Sequence, residues 1–240
     1  MVDRKCELVV ALDVDSFNKA KKLVDLLKDE VRLFKVGSQL FTASGPAIVD
    51  YIMSCGRQVF LDLKFHDIPN TVANAVASVV GLSAGSKVDG GSIFMLTVHI
   101  IGGEEMLRRA VDAGRKEADR LDLVRPFIVG ITVLTSQDKV ININQIVLDR
   151  ATIAKKCGLD GIVASVNETG FIRQNMGEDF IIVTPGIRPC SVAADDQKRV
   201  ATPREAVVAG SNFIVVGRPI VKADDPVVVA RNIIKEMASG

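Results

Sequence analysis

Eight short apolar runs, spread along the whole chain and separated by stretches of helical periodicity, constrain this sequence more than any other feature. The runs occupy residues 8–13, 33–37, 58–64, 92–98, 127–134, 161–164, 180–184 and 213–216. Helical patterns fall between and after them, at residues 16–27, 46–53, 70–82, 104–116, 144–156, 168–175, 203–209 and 226–237. Strand followed by helix, repeated, is the signature of a parallel sheet with crossover helices. Local signals support the boundaries: Ser16 is placed as an N-cap, Pro46, Pro203 and Pro226 sit in first turns, and Gly158 closes the fifth helix.

Runs such as Phe180-Ile181-Ile182-Val183 and Phe213-Ile214-Val215-Val216 do not alternate with polar residues. Such strands need cover on both faces. Two architectures satisfy that demand, a doubly wound open sheet and a closed barrel. The dinucleotide fingerprint G-x-G-x-x-G is absent after the first run, where Asp13-Val14-Asp15-Ser16 stands instead. Eight βα units therefore predict an α/β fold, a (β/α)8 TIM barrel. A length of 240 residues suits one such domain, residues 1–240, with no linker or low-complexity tract inside it.

Composition removes several function classes. With 48% hydrophobic and 25% charged residues the chain can bury a full-sized core, which excludes disordered, fibrous and disulfide-stapled classes. Thirty basic residues against twenty-nine acidic ones leave a formal charge of +1, so no global field favours nucleic acid or an anionic membrane. An anionic ligand must then be held locally. Cys6, Cys55, Cys157 and Cys190 lie far apart without a C-x-x-C pair, and two histidines cannot complete a zinc set. No metal site is expected, and reduced thiols point to a cytoplasmic protein. The apolar run at residues 8–12 is too short for an export signal or a membrane span. Residues 68–86 carry no charge at all, yet Asn, Thr, Ser and Gly make them too polar for lipid.

In a barrel of this kind the active site is built at the C-terminal ends of the strands. The first strand ends at Asp13, the second carries Lys35, and the third ends in Asp62-Leu63-Lys64-Phe65-His66-Asp67. Side chains two apart share a strand face, so Asp62 and Lys64 are expected on one side and Leu61 and Leu63 on the other. Buried alone, either charge would be costly; paired, both remain ionised. A plain salt bridge plugging the barrel is the alternative. Lys35, Asp62, Lys64 and Asp67 can alternate in sign, each cation flanked by anions, and Asp13 adds a further acid. A second cluster follows the last two strands, in Thr184-Pro185-Gly186-Ile187-Arg188-Pro189 and Val216-Gly217-Arg218-Pro219. Glycine admits backbone N–H groups to an anion and arginine supplies a fork of donors, at the loops where this fold commonly binds phosphate. Between them, Gln197 could reach the same anion as a neutral donor.

The block from Phe60 to Val72, Phe-Leu-Asp-Leu-Lys-Phe-His-Asp-Ile-Pro-Asn-Thr-Val, together with Phe34-Lys35-Val36-Gly37 and the two glycine-arginine turns, resembles the orotidine 5′-phosphate decarboxylase family. The likeness runs from Leu12-Asp13 to the last strand. It implies a cofactor-free enzyme that converts orotidine 5′-phosphate to uridine 5′-phosphate in pyrimidine synthesis. By that resemblance Lys64 is the proton donor to C6, Asp62 and Asp67 are the carboxylates beside it, and Lys35 links them. Asp13 and Lys35 would hold the ribose hydroxyls and Thr135 the pyrimidine. Pro185, Arg188, Gln197, Gly217 and Arg218 would surround the phosphate. The resemblance also implies a homodimer in which Asp67, Ile68 and Thr71 enter the partner's site, which would explain an uncharged helix at residues 68–86 as a covered face.

Two departures stand out. After the fourth strand the chain reads His99-Ile100-Ile101-Gly102-Gly103, where a smaller residue is expected, so the barrel mouth there should be shaped differently. The loop between Pro189 and Gln197 is rich in alanine and aspartate. Magnesium-dependent phosphosugar enzymes on the same barrel share the D-x-K-x-x-D pattern and form the nearest competing reading, and a catalytically silent nucleotide-binding barrel forms another.

Overall fold

The computed structural model describes residues 6–85, 88–134, 141–189 and 201–240. Eight parallel strands close on themselves in sequence order: β1 (Glu7–Ala11), β2 (Leu33–Gly37), β3 (Gln58–Phe65), β4 (Ser92–His99), β5 (Phe127–Ile131), β6 (Gly161–Val163), β7 (Ile181–Thr184) and β8 (Phe213–Val216). Closure is made by β8 pairing with β1 from Glu7↔Phe213 to Val10↔Val216, which excludes the open-sheet alternative. The helices are α1 (Phe17–Leu27), α2 (Ser38–Ser44), α3 (Ala47–Ser54), α4 (Pro69–Leu82), α5 (Glu104–Leu121), α6 (Ile143–Lys156), α7 (Val166–Met176), α8 (Pro203–Val208), α9 (Arg218–Val221) and α10 (Pro226–Met237). No helix among the described residues is long and apolar enough to cross a membrane.

Helix starts follow the expected chemistry in part. Thr202 and Glu205 form a reciprocal capping box on α8, and the Asp225 carboxylate accepts from the N–H groups of Val227 and Val228 ahead of α10. Ser16 does occupy the N-cap of α1, in extended conformation, yet its side chain makes no cap hydrogen bond. Two short helices, α2 and α9, fill connections that lack the length to show a 3.6-residue period. β1 stops at Ala11 and β5 at Ile131, short of the ends expected at Asp13 and Leu134. Their last residues leave the ladder to line the mouth: the Val14 N–H turns back to the Leu12 carbonyl, and the Thr132 hydroxyl donates to the Val163 carbonyl.

Alternation along the strands divides the core in two. Leu8 and Val10 of the first strand with Leu12 just beyond it, Phe34 and Val36 of the second and Leu61 of the third point out and pack with the helices. Val9, Ala11, Leu33, Phe60, Val129, Val183 and Val215 point in and fill the barrel. At the N-terminal end the ring of Phe94 meets Phe127 and Phe213 edge-on at 5.2 and 5.4 Å between centroids. The Arg32 guanidinium covers Phe94 at 4.9 Å, pairs with Glu7 and donates to Gln58, whose amide reaches Ser92. The barrel therefore stands on a floor of aromatic rings capped by a polar plug.

Candidate active site

The inward register that fills the barrel with apolar side chains also sets the charged ones at its mouth. Two residues beyond Leu33 stands Lys35, and two beyond Phe60 stands Asp62. Asp13, Pro185 and Gly217 follow Ala11, Val183 and Val215 by the same step. Lys35 Nζ lies 3.2 Å from Asp13 Oδ1 and 3.6 Å from Asp62 Oδ2, while Lys64 Nζ donates to Asp62 Oδ2 at 2.8 Å. The side chains of Lys35 and Asp62 are only 11% and 12% exposed, whereas that of Lys64 is 36% exposed and faces the open mouth. Burial pushes the Asp62 carboxyl up, but the Lys35 and Lys64 ammoniums and the hydrogen bonds from Lys64 and Thr97 outweigh it and hold the group below the ordinary carboxylate range.

The backbone at Lys64 departs from strand geometry. Its φ is +53°, in the left-handed region that costs a non-glycine residue about 1–2 kcal/mol. From Leu61↔Leu96 to Phe65↔Val98 the third strand advances four residues against two on the fourth, and Lys64 sits in that bulge. Its N–H donates to Thr97 Oγ1 at 2.8 Å, and the same hydroxyl is 3.0 Å from Asp62 Oδ1. Thr97 is fully buried and was not among the expected site residues. The signal for it was a hydroxyl within the apolar run Ile93–Val98. Its inward parity becomes visible only once Phe94 is known to be an extra residue between Ile93 and Met95, an irregularity that shifts the alternation of that strand.

Two adjoining cavities meet at this array. One, of about 180 Å³, is lined by Asp13, Lys35, Asp62, Pro185, Gly186, Arg188, Gly217 and Arg218. The other, of about 130 Å³, is mostly apolar, with Phe60, Ile131, Val133, Leu134, Val163 and Val215 beside Lys35, Asp62 and Lys64. Gly217 sits tightly: a Cβ there would lie 3.0 Å from Asp13 Oδ2 and 3.4 Å from the Ala11 Cβ, so a side chain would have to push the Asp13 carboxylate aside. Gly186 has φ +81°, which turns the chain toward the buried Arg188. Together the cavities form a cationic corner joined to an apolar slot, with an ammonium and a carboxylate at the junction.

Asp67, Ile68 and Thr71 lie elsewhere. Within the chain the charges alternate as Asp13, Lys35, Asp62, Lys64, and Asp67 is not the fourth member expected from the sequence. The third strand ends at Phe65 and turns into α4, leaving Asp67 exposed with its carboxylate accepting from the Ile68 N–H at 2.6 Å. Ile68, 66% exposed, and Thr71 lie beside it at the start of that helix, whose exposed positions Asn70, Asn74 and Ser78 carry no charge. Thr135 and Gln197 fall outside the described residues.

His66 and His99 face each other at 5.6 Å between ring centroids, and burial, with the nearby His66, Lys64 and Arg150, holds the His99 imidazole below its ordinary value. Ile100 is buried in the outer core over Gly130, where a Cβ would come 2.5 Å from its Cγ1, and it lines neither cavity; Ile101 is 56% exposed.

Comparison with known proteins places the chain in a family. The chain is 44% identical to the orotidine 5′-phosphate decarboxylase of Syntrophotalea carbinolica, over all of this chain and 98% of that protein, and 43% identical to that of Geotalea daltonii, over 99% and 98%. The crystal structure of orotidine 5′-phosphate decarboxylase from Lactobacillus acidophilus superposes with a TM-score of 0.81 at 35% identity, covering 97% of this chain and 99% of that one. With residues 7–233 matching its profile, this chain belongs to the orotidine 5′-phosphate decarboxylase / HUMPS family.

Proposed function

We propose that this protein decarboxylates orotidine 5′-phosphate to uridine 5′-phosphate without a cofactor, in pyrimidine synthesis, with Lys64 protonating C6. The observation that carries the reading is the array Lys35–Asp62–Lys64 at the junction of a cationic corner and an apolar slot. The bond from C6 to the carboxylate carbon breaks, carbon dioxide leaves, and the electron pair stays on C6 in an orbital that no carbonyl can delocalise. Its stabilisation must be electrostatic. An ammonium about 3.5 Å from that carbon contributes on the order of 5 kcal/mol at an effective dielectric near 20, and more as water is excluded. Lys64 then gives its proton to C6 and regains one from solvent. The Asp62 carboxylate beside the substrate carboxylate is a like-charge contact that vanishes as neutral carbon dioxide forms.

Remote groups supply position. Arg188, Gln197, Gly217, Arg218 and the Pro185 turn take the phosphate, Asp13 and Lys35 the ribose hydroxyls, and Thr135 with the apolar slot the pyrimidine. Binding energy at the phosphate is converted into alignment at the ring. We assign Asp67, Ile68 and Thr71 to the site of a second subunit, the uncharged α4 surface forming the homodimer face of a cytoplasmic enzyme with no nucleic-acid or membrane partner. The exposed position of all three, outside their own chain's array, supports this reading. Orotidine 5′-phosphate added to the purified protein should lose the orotate ultraviolet band, with or without EDTA. Lys64→Ala should abolish that loss while phosphonucleotide binding largely survives. Retained turnover in Lys64→Ala would reject the assignment, and abolition by EDTA would favour a metal-dependent phosphosugar reaction.

A further inference from the structure

Resting on the decarboxylase reading, we infer that Thr97 is a positioning residue which locks the reacting pair through one hydroxyl, accepting from the Lys64 backbone N–H and donating to the Asp62 carboxylate. The acceptor side is occupied by the Lys64 N–H at 2.8 Å, so the hydroxyl proton is free to point at Asp62 Oδ1, 3.0 Å away. That choice has two consequences. Oδ1 is committed to Thr97, which leaves Oδ2 to both amines, Lys64 at 2.8 Å and Lys35 at 3.6 Å, and fixes the plane of the carboxylate. The backbone of Lys64, held at φ +53°, donates its N–H to this side chain, so the hydroxyl also sets the direction from which the ammonium leaves the strand. Because Thr97 is fully buried, no solvent can substitute for it.

The charged groups facing Asp62 are Lys35 from β2, Lys64 from its own strand, His99 at the end of β4, and Arg188 and Arg218 across the cavity, with Asp13 behind Lys35. All of these remain when Thr97 is changed; what changes is one donor to the ionised carboxylate. Its loss favours the protonated acid and moves the acid limb of the pH profile to higher pH.

The test is a hydroxyl series. Thr97→Val should lower kcat for orotidine 5′-phosphate by about 10- to 100-fold, the value of a hydrogen bond to a charged group, with KM changed far less. Its acid limb should rise, and Thr97→Ser should restore both. Thr97→Cys, a weak donor and acceptor, should fall between, so the serine and cysteine proteins decide the matter even where the valine protein does not fold. The Asp62 carboxyl carbon, followed by NMR, should titrate at higher pH in Thr97→Val or Thr97→Cys than in the parent. That readout is independent of turnover: a parent that fails to decarboxylate rejects the functional assignment, and the titration alone then judges Thr97. A Thr97→Val or Thr97→Cys protein with parental kcat and Asp62 titration, or a serine protein as impaired as the valine one, overturns the role.

Discussion

Replacing Asp62 by asparagine tests whether the charge array is held together by compensation. At an effective dielectric of about 20, contacts of 2.8 Å to Lys64 and 3.6 Å to Lys35 correspond to gross attractions of about 6 and 5 kcal/mol. Desolvating the carboxylate offsets several kcal/mol of this, and the part shared with Lys64 is weakened by water at the mouth. Asparagine keeps the hydrogen bond from Thr97, and Lys35 keeps Asp13 at 3.2 Å. The net loss at pH 7 should then sit near the low end for a broken buried pair, about 3 kcal/mol. For a chain of this size that is a fall in Tm of roughly 6–12 °C. The Asp62 carboxyl titrates below its ordinary value in the folded protein, so the stabilisation is present above the unfolded value of about 3.9 and is lost as pH falls through the folded one. Urea unfolding followed by circular dichroism should show a constant gap between the two proteins from about pH 7 to 5, closing below about pH 4. An asparagine protein at least as stable as its parent at neutral pH, or a gap that persists in acid, would refute the compensation.

Mixing Lys64→Ala subunits with Asp67→Ala subunits should regenerate some active sites across a twofold interface; no recovery between exchange-competent subunits argues against sharing. Gly130→Ala should destabilise by about 1–3 kcal/mol through the clash with Ile100, and by much less in an Ile100→Ala background. Strict additivity in that thermal-melt cycle would show that the two do not share space. Arg173 donates to the carbonyls of Gly177, Phe180 and Gly210 and to Asn212, fastening α7 to the last two strands. Arg173→Lys, which cannot reproduce that fork, should cost about 2–4 kcal/mol in denaturant titration without changing kcat.

The eight strands and most of the helices were legible because each carries its own signal, apolar runs without alternation for the one and a 3.6-residue period for the other; α8, only six residues long, was marked by Pro203 at its start. The short helices α2 and α9 hold too few turns for a period to register. Strand ends were harder. Asp13 belongs to the apolar run by composition, but only the ladder's end between Ala11 and Lys35 shows that it lies beyond the strand, at the rim. Asp62 and Lys35 could be placed from parity. Lys64 reached the same face through a left-handed bulge that no period-two rule contains, and the threonine that supports it lies on another strand. Within its own chain Asp67 shows the limit of sequence proximity: the third strand ends at Phe65, and Asp67 is exposed with its carboxylate turned to the Ile68 N–H.

The stack of Phe94, Phe127 and Phe213 under its arginine lid has a consequence for chemistry at the other end. Among the described residues the lower end of the barrel is filled by hydrocarbon and aromatic rings, while both cavities at the charge array lie toward the opposite end. A ligand seated there stands between the array and bulk water, and its inner edge then draws hydrogen ions from the side chains of the rim.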